Sequence, residues 1–254
     1  MNPTYFALEL KRFFRDYTGV FFIAVLPCFF YVVFGAAQFW SSQSVGRGNV
    51  AMYVMISMAA YGAVTATVSI GGSAAMERMQ GWGRQLGLTP MRDSMFVATK
   101  AVVGVTVALV PIGLIFVIAA FTGARGDLPA WIVGGLVILV GAAVFSVYGL
   151  IFGLLFRSES AIGAASGTLV VLAFLGNLFF PLSGTLLTIA KFTPLYGYVS
   201  LARRTLTEGY ILNGTQNGNL VFEPLWQPIL NIVVWTVIFC ALAVAAVRYG
   251  RRRQ

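Results

Sequence analysis

The chain of 254 residues is 59% hydrophobic and 10% charged, with a mean hydropathy of +0.85. Charged residues supply about a quarter of an ordinary globular chain, so a soluble fold of this length is excluded and lipid is the solvent for most of the surface. The net charge of +9 falls in short loops between apolar runs, which is the positive-inside signature of a membrane protein rather than a nucleic-acid footprint.

The N-terminal residues 1–17 read as an amphipathic helix. Asn2 is a capping residue and Pro3 suits a first helical position. Phe6, Leu10, Phe13, Phe14 and Tyr17 recur at helical spacing, while Glu9, Lys11, Arg12, Arg15 and Asp16 fill the other side. The spacing predicts an interfacial helix lying along the cytoplasmic leaflet.

A spanning helix needs roughly 20 apolar residues. Six segments qualify: Thr18–Trp40, Val50–Met76, Ser94–Thr122, Trp131–Phe156, Ala161–Phe180 and Pro228–Val247. Pro111 and Gly113 are expected to kink the third, which lipid-embedded neighbours tolerate. The first run is too long for the apolar core of a cleavable signal peptide and lacks a small-x-small exit. With the N-terminus in the cytoplasm, 12 of the 17 Lys and Arg residues lie inside and 5 outside, so both termini are expected in the cytoplasm. Cys28 and Cys240 each sit within an apolar run and suggest neither a disulfide framework nor a metal site.

Residues 77–90, ERMQGWGRQLGLTP, interrupt the apolar pattern on the cytoplasmic side. Met79, Trp82 and Leu86 fall at i, i+3 and i+7; Arg78 and Gln85 share another face, with Gln80 and Arg84 beside it. This is a short amphipathic helix, weakened by Gly81 and Gly83 at about 1 kcal/mol each. Thr89 can cap the next helix, with Pro90 at its first position.

Residues 182–227, between the fifth and sixth spans, are more than a loop. Tyr198, Leu201, Ala202, Thr205 and Leu206 make one helical face from which Arg203 and Arg204 point away. Pro181 and Pro194 punctuate the segment, and Asn213-Gly214 and Asn217-Gly218 mark turns. Short helices dipping into the outer leaflet, then a polar turn, are expected. Gly149 and Gly153 form one GxxxG and Gly163 and Gly167 another, read as close packing of the fourth span on the fifth.

The absences narrow the chemistry. No Asp, Glu or Arg sits in the middle of a span, there is no His, and Lys100 is near enough to the cytoplasmic end of its span to snorkel. Midplane carboxylates for proton coupling and buried arginines for voltage sensing are missing. No Gly-Lys pair occurs, so no P-loop is present and this chain is not expected to hydrolyse ATP or to be an enzyme. Uphill movement by such a protein draws its energy from another chain.

Taken along the chain, these features resemble the membrane subunit of ABC-2 type transporters, the type V exporter permeases. Glu77-Arg78, Gly81 and Thr89-Pro90 are similar to that family's acidic-basic start, glycine and Thr-Pro in the loop between the second and third spans. Phe192-Thr193-Pro194-Leu195-Tyr196 followed by Ala202-Arg203 is similar to its pattern before the last span. Met79-Gln80 stands where acids are common, and Gly83 interrupts the helix.

The resemblance implies a single all-α transmembrane domain over 1–254, with six spans, the interfacial helix, a coupling helix at 77–90 and re-entrant outer helices within 182–227. It assigns Glu77, Arg78, Gly81, Trp82, Arg84, Leu86, Thr89 and Pro90 to contact with a separate ATP-binding subunit, present in two copies and carrying the ATP and Mg. It pairs the chain with a second permease, identical or paralogous, in a bacterial inner membrane, with no nucleic-acid partner and no cofactor, metal or catalytic residue of its own. Phe29, Phe30, Phe34, Tyr61, Phe174 and Phe179 become candidate linings of an export path for a hydrophobic or amphipathic cargo: a drug, antibiotic, lipid or lipid-linked glycan. Pro194, Tyr196, Tyr198, Leu201 and Arg203 mark the outer helices. The residues also leave open a stand-alone passive or secondary transporter and a structural membrane protein.

Overall fold

The computed structural model of the chain describes residues 3–77, 93–156, 160–212 and 221–251. Helix α1 (Pro3–Arg15) leads into α2 (Tyr17–Ala36), with Asp16 accepting from the Gly19 amide to cap the new helix. Then follow α3 (Val50–Glu77), α4 (Asp93–Phe121), α5 (Leu128–Phe156) and α6 (Ser160–Leu175). Two short helices, α7 (Gly184–Ala190) and α8 (Pro194–Thr207), expected on the outer side, precede the last long helix, α9 (Trp226–Arg251).

Among the described residues five helices are long and apolar enough to cross a membrane: α2, α3, α4, α5 and α9. The fifth expected span, Ala161–Phe180, is a helix only over Ser160–Leu175; residues 176–180 form a turn. At 1.5 Å per residue its 16 residues reach about 24 Å, short of the roughly 30 Å of a hydrocarbon core. The turn begins where Asn177 adopts φ 59°, a left-handed conformation that ends a helix and that Asn tolerates better than most residues.

Helix α3 is the axis. It is buried along nearly its whole length, whereas α9 and α5 keep most of their surface toward lipid. Small residues make this possible. A Cβ on Gly149 of α5 would fall 2.0 Å from the Val68 carbonyl oxygen of α3, and one on Gly71 of α3 would fall 2.0 Å from the Ser146 carbonyl oxygen of α5. Gly153 would meet Ala75 Cβ and the Gly72 carbonyl oxygen at 2.6 Å. Thr67 of α3 seals the seam by donating to the Ala142 carbonyl at 2.7 Å. The Gly149/Gly153 pair therefore packs on the second span, not the fifth, and among the described residues a Cβ on Gly163 or Gly167 would meet no atom within 4 Å. The motif signals close approach, but spacing alone cannot say to which helix.

The prolines lean on the same axis. A Cβ on Gly62 would meet Pro111 of α4 at 2.7 Å and Pro27 of α2 at 3.3 Å. Pro27 also removes one backbone donor, and α2 carries π-turns at Phe21–Val25 and Val32–Ala36 on either side of it. Helix α4 continues through Pro111 from Asp93 to Phe121.

Two small hairpins were not legible in the sequence. β1 (Ser44–Val45) pairs antiparallel with β2 (Gly48–Asn49), and β3 (Tyr210–Ile211) with β4 (Val221–Phe222). The first is held by tertiary contacts rather than by strand propensity. Arg47 N–H donates to the Leu206 carbonyl at 2.8 Å, and Asn49 bonds the Gly123 carbonyl and the Met52 and Arg125 amides.

Gly149→Ala should cost about 1–3 kcal/mol by overpacking the α3–α5 seam. Gly163→Ala should be neutral or slightly stabilising, because alanine favours helix and meets open space. Thermal unfolding of the two variants in detergent micelles checks the contrast.

Candidate functional site

Three groups of side chains stand out, one per level of the bundle. The first is aromatic. Phe30 and Phe34 of α2 lie 5.7 Å apart by ring centroid; Phe30 is 5.7 Å from Phe179 and Phe34 is 5.4 Å from Phe180. Tyr61 of α3 is 5.1 Å from Phe179, and Phe174 of α6 is 4.8 Å from Phe179 and 6.2 Å from Phe180. Phe29 joins through Phe30 at 6.2 Å. The structure thus brings all six sequence-derived lining candidates into one cluster and adds Phe180. Tyr61 and Phe179 form its buried floor, while Phe29, Phe174 and Phe180 are 57%, 49% and 47% exposed. One side of the cluster is therefore an open aromatic wall built from α2, α6 and the turn after α6.

The second group is ionic and lies between the end of α3, α1 and the first turns of α4. Lys100 Nζ reaches Glu77 Oε2 at 2.6 Å and Glu9 Oε2 at 2.7 Å, and Arg12 pairs with Glu77 Oε1. Lys100, Glu77 and Glu9 are nearly inaccessible there. Lys100 does not snorkel to the interface, because two carboxylates on neighbouring helices satisfy it in place. Burial and the Glu9 carboxylate push the Tyr5 hydroxyl above the ordinary phenol value, so it stays protonated and donates to Glu9. Glu77 closes α3 and is engaged within the chain. Of the expected coupling residues, Arg78, Gly81, Trp82, Arg84, Leu86, Thr89 and Pro90 lie outside the described residues, as do the Asn213-Gly214 and Asn217-Gly218 turns.

The third group lies under the outer helices. Helix α8 begins at Pro194 and packs on α3, α5 and α9, burying Tyr196, Tyr198 and Leu206 and half-burying Leu201. Tyr198 donates to the Ile138 carbonyl at 2.8 Å. Arg203 does not point away: it is buried, with Nη1 on Tyr53 OH at 2.7 Å and its charge 3.9 Å over the Tyr53 ring. Arg204 does lie partly open, and donates to the Glu223 carbonyl at 2.9 Å. Glu223, also buried, accepts from Tyr196 OH at 2.8 Å and from Ser200. The two groups line one polar cavity of about 20 Å³, room for a single water.

Along 251 residues the chain is 24% identical to a Bacillus subtilis (strain 168) protein described as "Putative transport permease YvfS". The match covers 97% of this chain and 95% of that protein. No protein-family model matches. The likeness therefore runs through α1, every long helix and the 182–227 segment alike. Among the described residues no three His, Cys, Asp or Glu side chains gather as metal ligands.

Sequence reasoning missed Phe180, Glu9, Tyr53, Ser57, Asn177 and Glu223. Phe180 carried a signal, since it adjoins Phe179. For Tyr53 and Ser57 none existed: their partner lies 150 and 146 positions away.

Lys100→Met should leave Glu9 and Glu77 buried without their shared cation and cost about 3–5 kcal/mol. Arg12 is 66% exposed, so Arg12→Gln should cost no more than about 1 kcal/mol. Resistance of the micelle-solubilised variants to limited proteolysis, read against temperature, ranks the two.

Proposed function

We propose that the chain is the membrane subunit of an ATP-driven exporter of the ABC-2 type, moving a hydrophobic or amphipathic molecule out of the cell. The observation that carries this reading is the end-to-end likeness to a protein described as a transport permease. Five apolar helices of spanning length place that likeness in a membrane protein. The ABC assignment itself rests on the resemblance of the 77–90 and 192–203 segments.

The geometry supports a division of labour. The aromatic wall offers dispersion and ring contacts without charge, which suits a cargo drawn from the bilayer. Its rings come from α2, α3, α6 and the turn after α6, so a relative shift of these elements changes its width. The partner across the open side is a second permease, and the path runs between the two.

Energy enters at the other end. Residues 77–90 seat in a separate P-loop subunit, with Arg78, Trp82, Arg84 and Leu86 making the contact and Gly81, Thr89 and Pro90 shaping it. The Glu9–Lys100–Glu77 cluster grips both roots of that segment and the interfacial helix together. Force on the segment is thereby delivered to α3 and α4 at once. ATP and Mg sit on the partner, two copies serve two permeases, and both chain ends face the cytoplasm of the inner membrane.

Affinity purification of the tagged chain in mild detergent should bring down a P-loop ATPase identifiable by mass spectrometry. Arg78→Glu or Trp82→Ala should lower its recovery roughly tenfold or more, as loss of a central interface residue does, with the membrane-inserted amount unchanged. Transport by the purified chain alone in proteoliposomes, without an ATPase or ATP, would overturn the reading.

A further inference from the structure

Among the described residues Arg203 is the one arginine that is buried. A guanidinium has five N–H donors in a fixed fork. In Arg203, Nε bonds Ser57 Oγ at 3.1 Å; Nη1 bonds Tyr53 OH at 2.7 Å and the Asn177 carbonyl at 2.8 Å; Nη2 bonds the Leu178 carbonyl at 2.9 Å and Ser57 Oγ. All five donors are spent on the protein. A cation so occupied has nothing to offer a passing molecule, so its use is mechanical.

What it holds is the turn after α6. The Asn177 and Leu178 carbonyls belong to the two residues that immediately precede Phe179 and Phe180. Asn177 is in the left-handed region, and its side chain accepts from the Leu182 amide at 2.7 Å, pinning the far side of the same turn. Leu178 is fully packed. Arg203 thereby fixes the backbone from which both rings spring, and it anchors that backbone to Tyr53 and Ser57 on the axial helix α3.

We propose that Arg203 is a positioning residue for the aromatic wall: through the Asn177 and Leu178 carbonyls it sets where Phe179 and Phe180 stand, and hence how far the outer end of the wall opens. The consequence for export rests on reading that wall as the cargo path; the positional claim is read without any cargo. The test is spectroscopic. In a full-length chain with Cys28→Ala and Cys240→Ala, a nitroxide is attached through Phe180→Cys and its mobility is measured in lipid nanodiscs. A second preparation carries the label through Leu136→Cys, on the exposed flank of α5, as a reporter of general loosening.

Arg203→Lys cannot reach all five partners, and Ser57→Ala removes the acceptor of two donors. Each should raise the mobile fraction of the Phe180 label roughly tenfold, the factor set by losing one hydrogen bond to a charged group, and leave the Leu136 label unchanged. Arg47→Gln, which breaks the exposed pair with Glu208, should move neither. An unmoved Phe180 label in folded Ser57→Ala, or equal loosening at both labels, overturns the proposal; should Arg203→Lys not fold, Ser57→Ala alone decides. Failure of the ATPase co-purification would instead remove the export reading while leaving the positional result intact.

Discussion

The close approach of α5 to α3 is the constraint on which the rest of the structure depends. Gly71 and Gly149 put backbone against backbone, each glycine facing a carbonyl oxygen of the other helix. In lipid no hydrophobic force drives helices together, so contact must come from tight packing and polar bonds. Gly62 then gives the proline-bearing stretches of α2 and α4 a common seat on the opposite side of α3. An axis this thin lets neighbours on several sides reach it, and it accounts for why α3, alone among the helices of spanning length, is buried along nearly its whole length.

Two polar clusters tie off the ends of this apolar shaft, and they follow different rules. The inner one is an ion cluster with charges of both signs, in which carboxylates flank a buried ammonium. The outer one holds a buried guanidinium that, among the described residues, has no carboxylate within ion-pair distance and relies on hydroxyls, carbonyls and a ring. The carbonyls that meet it, of Asn177 and Leu178, lie in the turn beyond the end of α6. The bundle between the two clusters bears no ionised midplane group among the described residues, which fits a wall made of rings.

The spans were legible because length and composition fix them: α3 and α4 begin and end within a residue of the apolar runs. The short α6 was not, since the apolar run continues through Gly176–Phe180 while the backbone turns at Asn177. Arg203 was misplaced because helical spacing sets it off the apolar face of α8. In an aqueous protein such a residue would face water; here the side opposite the apolar face meets the hydroxyls of α3, so the polar flank is also inside. Lys100 was misread for a related reason: its distance from the helix end suggests snorkelling, but its partners come from α1 and α3, which no local pattern announces. The aromatic candidates were found from chain positions alone, yet only the folded arrangement places them in one cluster and adds Phe180.

Arg203 also bears on how the protein is assembled. Every group that satisfies it lies earlier in the chain: Tyr53, Ser57, Asn177 and Leu178 are all made before residue 203 emerges. An ionised side chain is costly in hydrocarbon until it is bonded. Every acceptor is therefore already made when the segment bearing α8 appears, and α9, made later still, bonds the entry to α8 through Asn231, which donates to the Lys191 and Thr193 carbonyls, and Trp235, which donates to Phe192. The order in which the chain is made thus supplies each acceptor before the cation that needs it.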